Sequence, residues 1–310
     1  MKPPQLPEKS TSAYFDRDKS IVDYEPVYSE EAKFTFRGPW PKRLEPGRYF
    51  TCLGAAQTFG CFCEAPYPAL LSERLGIAGL NCGVGGAGAG FFLRQPALID
   101  IANRGRFAIL QVLSARSEDT SAFLTNGLET HQRRRDGQIM TADQAYGSLL
   151  EKEALAALSV GGQRLFLFGR PPPQTLAIVA EARSAMVNAH LALLESLTVP
   201  TVLLYFSKRP PSYRARFFRL RALLGDYPQL VTDEMVDQIR GAADSFVSCV
   251  SRRGLPQILR DKETGQPTSI DMVDDKGLHQ GRWNRNLYYP TPEMHEDAAT
   301  VLEPVCRNLL

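Results

Sequence analysis

Short apolar runs alternate along this chain with stretches whose apolar positions recur at helical spacing. Tyr49 to Leu53 and Ile77 to Leu80 are two such runs, each ending in small residues, and Tyr67 to Leu75 between them has the helical pattern. Phe107 to Leu113 and Pro200 to Phe206 read as further buried strands, and Arg164 to Phe168 as another short one. Gln174 to Leu197 carries a helical stripe of Leu176, Val179, Ala182, Met186 and His190, so His190 reads as a hydrogen-bonded core histidine. Helices alternating with fully apolar strands predict a mainly parallel sheet covered on both faces, a three-layer α/β/α sandwich of about five strands.

The remaining segments decorate that frame. Residues 1 to about 35 are polar and proline-bearing and predict an extended arm, followed by an edge strand at Phe34-Thr35-Phe36. The expected organisation is an arm over 1–40 and a single α/β domain over 41–310, interrupted by a polar insertion at about 118–159 that folds over the site. Tyr213 to Leu224 predicts an amphipathic helix, Leu230-Val231 a short strand, Met235 to Ile239 a helix and 253–281 a loop or small hairpin. A last helix is expected from about Glu296 to Leu309, opened by a loop carrying His295.

Composition narrows the class without naming a function. With 44% hydrophobic and 23% charged residues, the 310-residue chain can build a full core. A net charge of +2 points to neither a nucleic-acid nor a membrane partner, and no apolar run reaches the length of a membrane span. The basic run Arg133-Arg134-Arg135 reads as a solvated face, with a phosphate or nucleic-acid patch as the alternative. The first residues contain no apolar segment that would direct secretion, and the six cysteines read as reduced, largely buried thiols, so a cytoplasmic protein is expected. Cys61-Phe62-Cys63 is too closely spaced for a metal or redox pair, and neither a metal nor a cofactor is expected.

Candidate chemistry gathers where two turns leave the first two strands: Gly54-Ala55-Ala56-Gln57-Thr58-Phe59-Gly60 and Asn81-Cys82-Gly83-Val84-Gly85-Gly86. In a parallel sheet such turns meet at the carboxyl ends of the strands and form a polar cup. This stretch resembles the SGNH (GDSL-type) hydrolase superfamily, whose first block is Gly-Asp-Ser-x-Thr-x-Gly, followed by a helix and an Asn-x-Gly-x-x-Gly turn. The resemblance implies a flavodoxin-like three-layer fold, with Gly54 and Thr58 retained from the first block and Gly86 matching a glycine of the oxyanion hole. His295 matches the catalytic base. The nucleophile position holds Ala56, the aspartate position of the last block holds Pro292, and Arg116 stands where the third block has asparagine.

These departures argue for the fold and against the usual chemistry, since a methyl group cannot form an acyl-enzyme. Arg116 adds a fixed positive charge suited to an anionic small molecule or glycan; the alternative is a structural ion pair with Glu118, Asp119 or an acid of the arm. Thr58 reads either as a group facing the cup or as a helix cap, and Cys61 and Cys63 as core or as thiols activated at the turn. The amide of Gln57 could meet an oxyanion or a sugar hydroxyl, and Asn81 completes the candidate ligand set with Gly54, Ala56 and Gly86. Gly-Ala-Ala-Gln is also similar to the Gly-Asn-Cys-Gln motif of a capsular-polysaccharide biosynthesis family, and the whole chain resembles an uncharacterised bacterial domain family associated with alphaproteobacteria. The combined expectation is a divergent SGNH-like protein acting on or binding a glycan, or an activated acyl or sulfuryl donor, in polysaccharide metabolism. The alternative is a catalytically silent binding or scaffold protein. On the first reading His295, Arg116 and Thr58 would converge on a bound water or hydroxyl, and a serine restored at position 56 would gain weak esterase activity.

Overall fold

The computed structural model describes residues 9–158, 173–212, 214, 216, 219–273 and 279–310. Five parallel strands form its centre: Tyr49–Gly54 (β1), Ala78–Gly83 (β2), Ala108–Gln111 (β3), Thr201–Ser207 (β4) and Ser245–Val250 (β5). Their spatial order is β5-β4-β3-β1-β2. The doubly wound order reverses between β1 and β3, and ligands of such sheets bind at the carboxyl end of that switch point.

Side chains alternate between the two faces of this sheet, as the strand period requires. On one face Leu53, Leu110, Leu203 and Tyr205 join a core with Ile178, Val179, Ala182 and Met186 of the helix Pro173–Ser196. On the other, Phe50, Cys52, Ile109, Val202 and Leu204 pack against Leu71 of the helix Tyr67–Leu75 and against Met294, Ala298 and Leu302 of the helix Pro292–Arg307. Both faces are therefore sealed by helices, and strands buried on both sides are apolar throughout. His190 lies in the first core, accepting from the Leu113 N–H at 3.0 Å and donating from Nδ1 to Met186 O at 2.8 Å.

Several elements differ from the sequence expectation. The fifth strand, β5, is not among those the sequence pattern predicts, and Leu230-Val231 is not a strand but lies just before the helix Asp233–Arg240. The stretch 164–168 lies outside the described residues, as do parts of 213–224, where only Leu220–Leu224 is helical. The arm is not extended: Lys9–Asp18 is a helix, and Pro26–Ser29 pairs with Phe34–Arg37 in a ribbon of its own. Arg37, almost fully buried, ends that ribbon and donates to the carbonyls of Phe59, Gly60, Cys63 and Glu64 at 2.7 to 2.9 Å. Those carbonyls follow a one-turn helix and have no helical partners of their own, so the ribbon is fastened to the turn after β1.

The insertion is likewise structured. Phe123–Leu124, Thr130–Arg133 and Ile139–Thr141 form a small antiparallel sheet that leads into the helix Ala142–Leu158. Its basic run is engaged locally, with Arg133 and Arg135 paired to Asp136 and Arg134 donating to Thr120 O. The C-terminal helix begins earlier than expected, capped by Thr291, whose hydroxyl accepts from the Met294 N–H at 3.3 Å. His295 consequently sits in its first turn. No described helix is long and apolar enough to cross a membrane.

Candidate functional site

A cavity of about 210 Å³ opens at the switch point of the sheet. The turn after β1 gives it Ala55, Ala56 and Gln57; the turn after β2 gives Gly86 and Ala87; and the exit of β3 gives Ser114, Arg116 and Ser117. Glu129 and Asp143 come from the insertion, and Tyr227 and Gln229 from the segment after β4. Tyr14 of the N-terminal helix and the C-terminal trio Trp283, Tyr288 and Tyr289 complete it. Parts of the chain far apart in sequence thus meet at the place where a parallel sheet gathers its loops.

Arg116 is the one cation of this lining among the described residues, and it is already compensated. Its two terminal nitrogens donate to Glu129 Oε2 at 2.9 Å and to Asp143 Oδ1 at 3.1 Å. Burial pulls the guanidinium down, but Tyr288, Glu129 and Asp143 outweigh that effect and hold it above its ordinary value. The ionised groups of the cavity therefore sum to a small negative charge. Of the two readings of Arg116, the ion pair is the one formed, with both partners drawn from the insertion and neither from Glu118, Asp119 or the arm. Glu118 instead lies buried against the short helix Ala89–Leu93, accepts from the Gly90 N–H at 3.1 Å, and burial pushes its carboxyl up to about 7.

Two side-chain amides belong to the lining. Gln57 and Gln229 are each 3% exposed, and the buried Oε1 of each has no partner among the described residues. The other end of Gln229 is fixed, its Nε2 donating to the Tyr288 hydroxyl at 2.9 Å. Buried polar atoms almost always find a partner, so two such acceptors on residues of one cavity mark candidate places for ligand or water donors. The two serines of the lining are engaged: Ser114 Oγ donates to Gln229 O at 3.3 Å, and Ser117 Oγ to Gly86 O at 2.8 Å.

The other residues singled out in the sequence lie in the walls or beyond them. Gly54 is packed so closely that a Cβ would overlap Thr58 and Gln111. Thr58, fully buried, donates to Gln111 Oε1 at 2.8 Å and shares a 3.0 Å hydrogen bond with the Tyr67 hydroxyl, so it braces the first turn from below. Asn81 clasps the same turn, donating to Thr58 O at 3.0 Å while its Oδ1 accepts from the Gly83 N–H. Cys61 and Cys63 are buried, and burial raises both thiols, Cys63 to about 12, so neither is an activated thiolate.

His295 does not line the cavity. Its ring lies between Tyr67 and Phe206 on the helix-covered face of the sheet, and Nδ1 accepts from the Tyr67 N–H at 3.2 Å. Nε2 is buried with no partner among the described residues. Burial, followed by the charge of Arg37, lowers this histidine to about 3. The expected convergence of His295 with Arg116 thus fails for a physical reason. The C-terminal helix starts before the histidine and commits it to the core, whereas Arg116 points into the insertion.

Ala56, Gln57, Gly86 and Arg116 are therefore the predicted residues that the fold brings together. Tyr14, Glu129, Asp143, Tyr227, Gln229, Trp283, Tyr288 and Tyr289 join them without having been singled out. The pair Tyr288-Tyr289 is the signal that could have flagged the C-terminal wall, since two adjacent loop tyrosines offer hydroxyls and rings together, although Tyr289 also fills a small core with Phe59 and Phe62. Among the described residues, no cluster of three or more His, Cys, Asp or Glu side chains could hold a metal ion.

A family model described as a domain of unknown function (DUF6473) matches residues 13–310. No curated protein matches the chain.

Proposed function

The chain belongs to the DUF6473 family of unknown function, and we propose from the cavity itself that it binds a neutral carbohydrate. The observation that carries this reading is the mixture of aromatic and amide side chains in the lining. Tyr14, Tyr227, Trp283, Tyr288 and Tyr289 supply aromatic surface, while Gln57 and Gln229 carry amide oxygens with no partner among the described residues. A sugar has the complementary character, with an apolar C–H face that packs on rings and a hydroxyl edge that donates hydrogen bonds. The paired Arg116 argues against an anion, because a carboxylate or sulfate would meet Glu129 and Asp143 beside the guanidinium.

Catalysis of the SGNH type finds little support in the same geometry. Ala56 occupies the nucleophile position, both lining serines already donate to backbone carbonyls, and no histidine among the described residues lines the cavity. The likeness to SGNH hydrolases remains part of the proposal as a relation of fold: the strand order, the helix after the first turn and the glycine-rich second turn all support it. On this reading the ancestral cup is kept and its reaction is lost.

Saturation-transfer NMR on the full chain tests the proposal, using methyl hexosides, the matching hexuronates and their sulfated forms. Neutral sugars should give transfer that Gln57→Leu or Trp283→Ala removes. Binding confined to the anionic members would sink the neutral-ligand reading, and hydrolysis of an acylated sugar by the native chain would restore the enzymatic one.

A further inference from the structure

Arg116, Glu129 and Asp143 line a second, adjoining cavity of about 240 Å³, completed by Thr130, Thr141 and Ala142. Each cavity alone is smaller than the roughly 300 Å³ at which small-molecule sites begin, whereas the two joined fall inside that range. Because the same three side chains belong to both linings, separate ligands would compete for the same donors and acceptors. We propose that the cavities are two subsites of one binding site. Given the carbohydrate reading on which this rests, the ligand is a di- or longer oligosaccharide laid across Arg116.

The chemistry of the two compartments differs in a way that fits linked sugar rings. The first holds the aromatic side chains and takes the C–H face of one ring. The second has no aromatic lining among the described residues; its threonine hydroxyls suit the polar edge of the next ring. Between them the guanidinium has spent one N–H of each terminal nitrogen on Glu129 and Asp143, and each of those nitrogens carries a second N–H. A hydrogen bond from such a charged donor to a ring or bridging oxygen is stronger than one between neutral groups. Glu129 and Asp143, with side chains 49% and 65% exposed, can accept from hydroxyls on either side while keeping their pairing with Arg116.

Thr130 separates this inference from the carbohydrate reading. It is exposed, stands opposite Thr141 in the small sheet and lines only the second cavity, so Thr130→Trp fills that compartment and leaves the first intact. Calorimetric titration of the native chain with methyl hexosides and with di- and trisaccharides of the same hexoses should show the oligosaccharides binding at least about tenfold more tightly. Thr130→Trp should remove that gain and leave the affinity for the methyl hexosides unchanged. Monosaccharide and disaccharide affinities within about twofold of each other in the native chain would overturn the two-subsite site while preserving sugar binding. This comparison does not depend on the variant folding. Failure of every sugar to bind would overturn the carbohydrate reading, and the extended site with it.

Discussion

The hydroxyl of Tyr14 stands 2.5 Å from the point where a Cβ on Gly85 would lie, with two ring atoms of the same tyrosine at 2.7 and 2.8 Å. The backbone of Gly85 lies outside the left-handed region, so what disfavours a side chain here is the close approach of the Tyr14 ring and not the turn. Gly85→Ala should therefore push Tyr14 out of the cavity wall, at a cost of about 1–3 kcal/mol. Thermal melting and limited proteolysis of the N-terminal segment measure this. Gly241→Ala is the control, because a Cβ there meets nothing within 4 Å. Equal melting temperatures for the two variants would show that Tyr14 does not press on the glycine turn.

The Arg116 trio should contribute little to stability despite its central position. Its carboxylates are half or more exposed, and exposed ion pairs are worth roughly 0–1 kcal/mol after screening. A double-mutant cycle with Arg116→Gln and Glu129→Gln should give a coupling of that size, decreasing further at high salt. A coupling above about 2 kcal/mol would mean that the trio is a structural clamp and would weaken its role as a shared ligand contact.

How much of this was legible in the chain depended on whether a segment's burial was set locally. β1, β3 and β4 are buried on both faces and read directly as apolar runs. β5, SFVSCV, is an edge strand with Ser248 and Val250 exposed, so its polar alternation hid it. The N-terminal helix KSTSAYFDRD is poor in strong helix formers and is held by tertiary contact, with Tyr14 and Phe15 packed on Phe59. The site divided in the same way. Turn residues such as Ala56 and Gly86 were placed by the strands that precede them, whereas Glu129 and Asp143 reach Arg116 through the folding of an insertion, which periodicity cannot report.

Three buried histidines should make the protein lose stability on mild acidification. Burial lowers His131 and His190 to about 4 and His295 to about 3, so in this fold they stay neutral where the unfolded chain, near 6.5, takes up protons. Their stabilisation is complete above about pH 6.5 and is lost as the pH falls towards 4. Glu118 runs the other way. Raised to about 7, it is protonated in the fold and ionised when unfolded between about pH 4.5 and 7, so it gains stability as the pH falls. The balance is about two protons, or on the order of 3 kcal/mol per pH unit at most within that window. Denaturant titrations at pH 7.0, 6.0 and 5.0 should show this decline, steeper in Glu118→Gln and shallower in His190→Gln. A flat profile would mean that the histidines are hydrated in the folded protein.

Restoring a serine at position 56 should not restore hydrolysis. A serine nucleophile needs a base within hydrogen-bond reach whose pKa lies near the working pH. His295, the one histidine the SGNH resemblance offers, meets neither condition. Its Nδ1 is occupied by the Tyr67 N–H, its Nε2 is sealed in the core, and at a pKa of about 3 it has almost no tendency to take a proton at neutral pH. Ala56 is 5% exposed and lines the cavity, so Ala56→Ser adds one oxygen where space exists and the fold should tolerate it. Turnover of p-nitrophenyl acetate by Ala56→Ser should therefore match that of the parent chain, with melting temperatures confirming that both are folded. A rate increase in Ala56→Ser that disappears on further change of His295 to Ala would show that the histidine swings into the cup in solution, and the loss of catalysis argued from its burial would then be wrong.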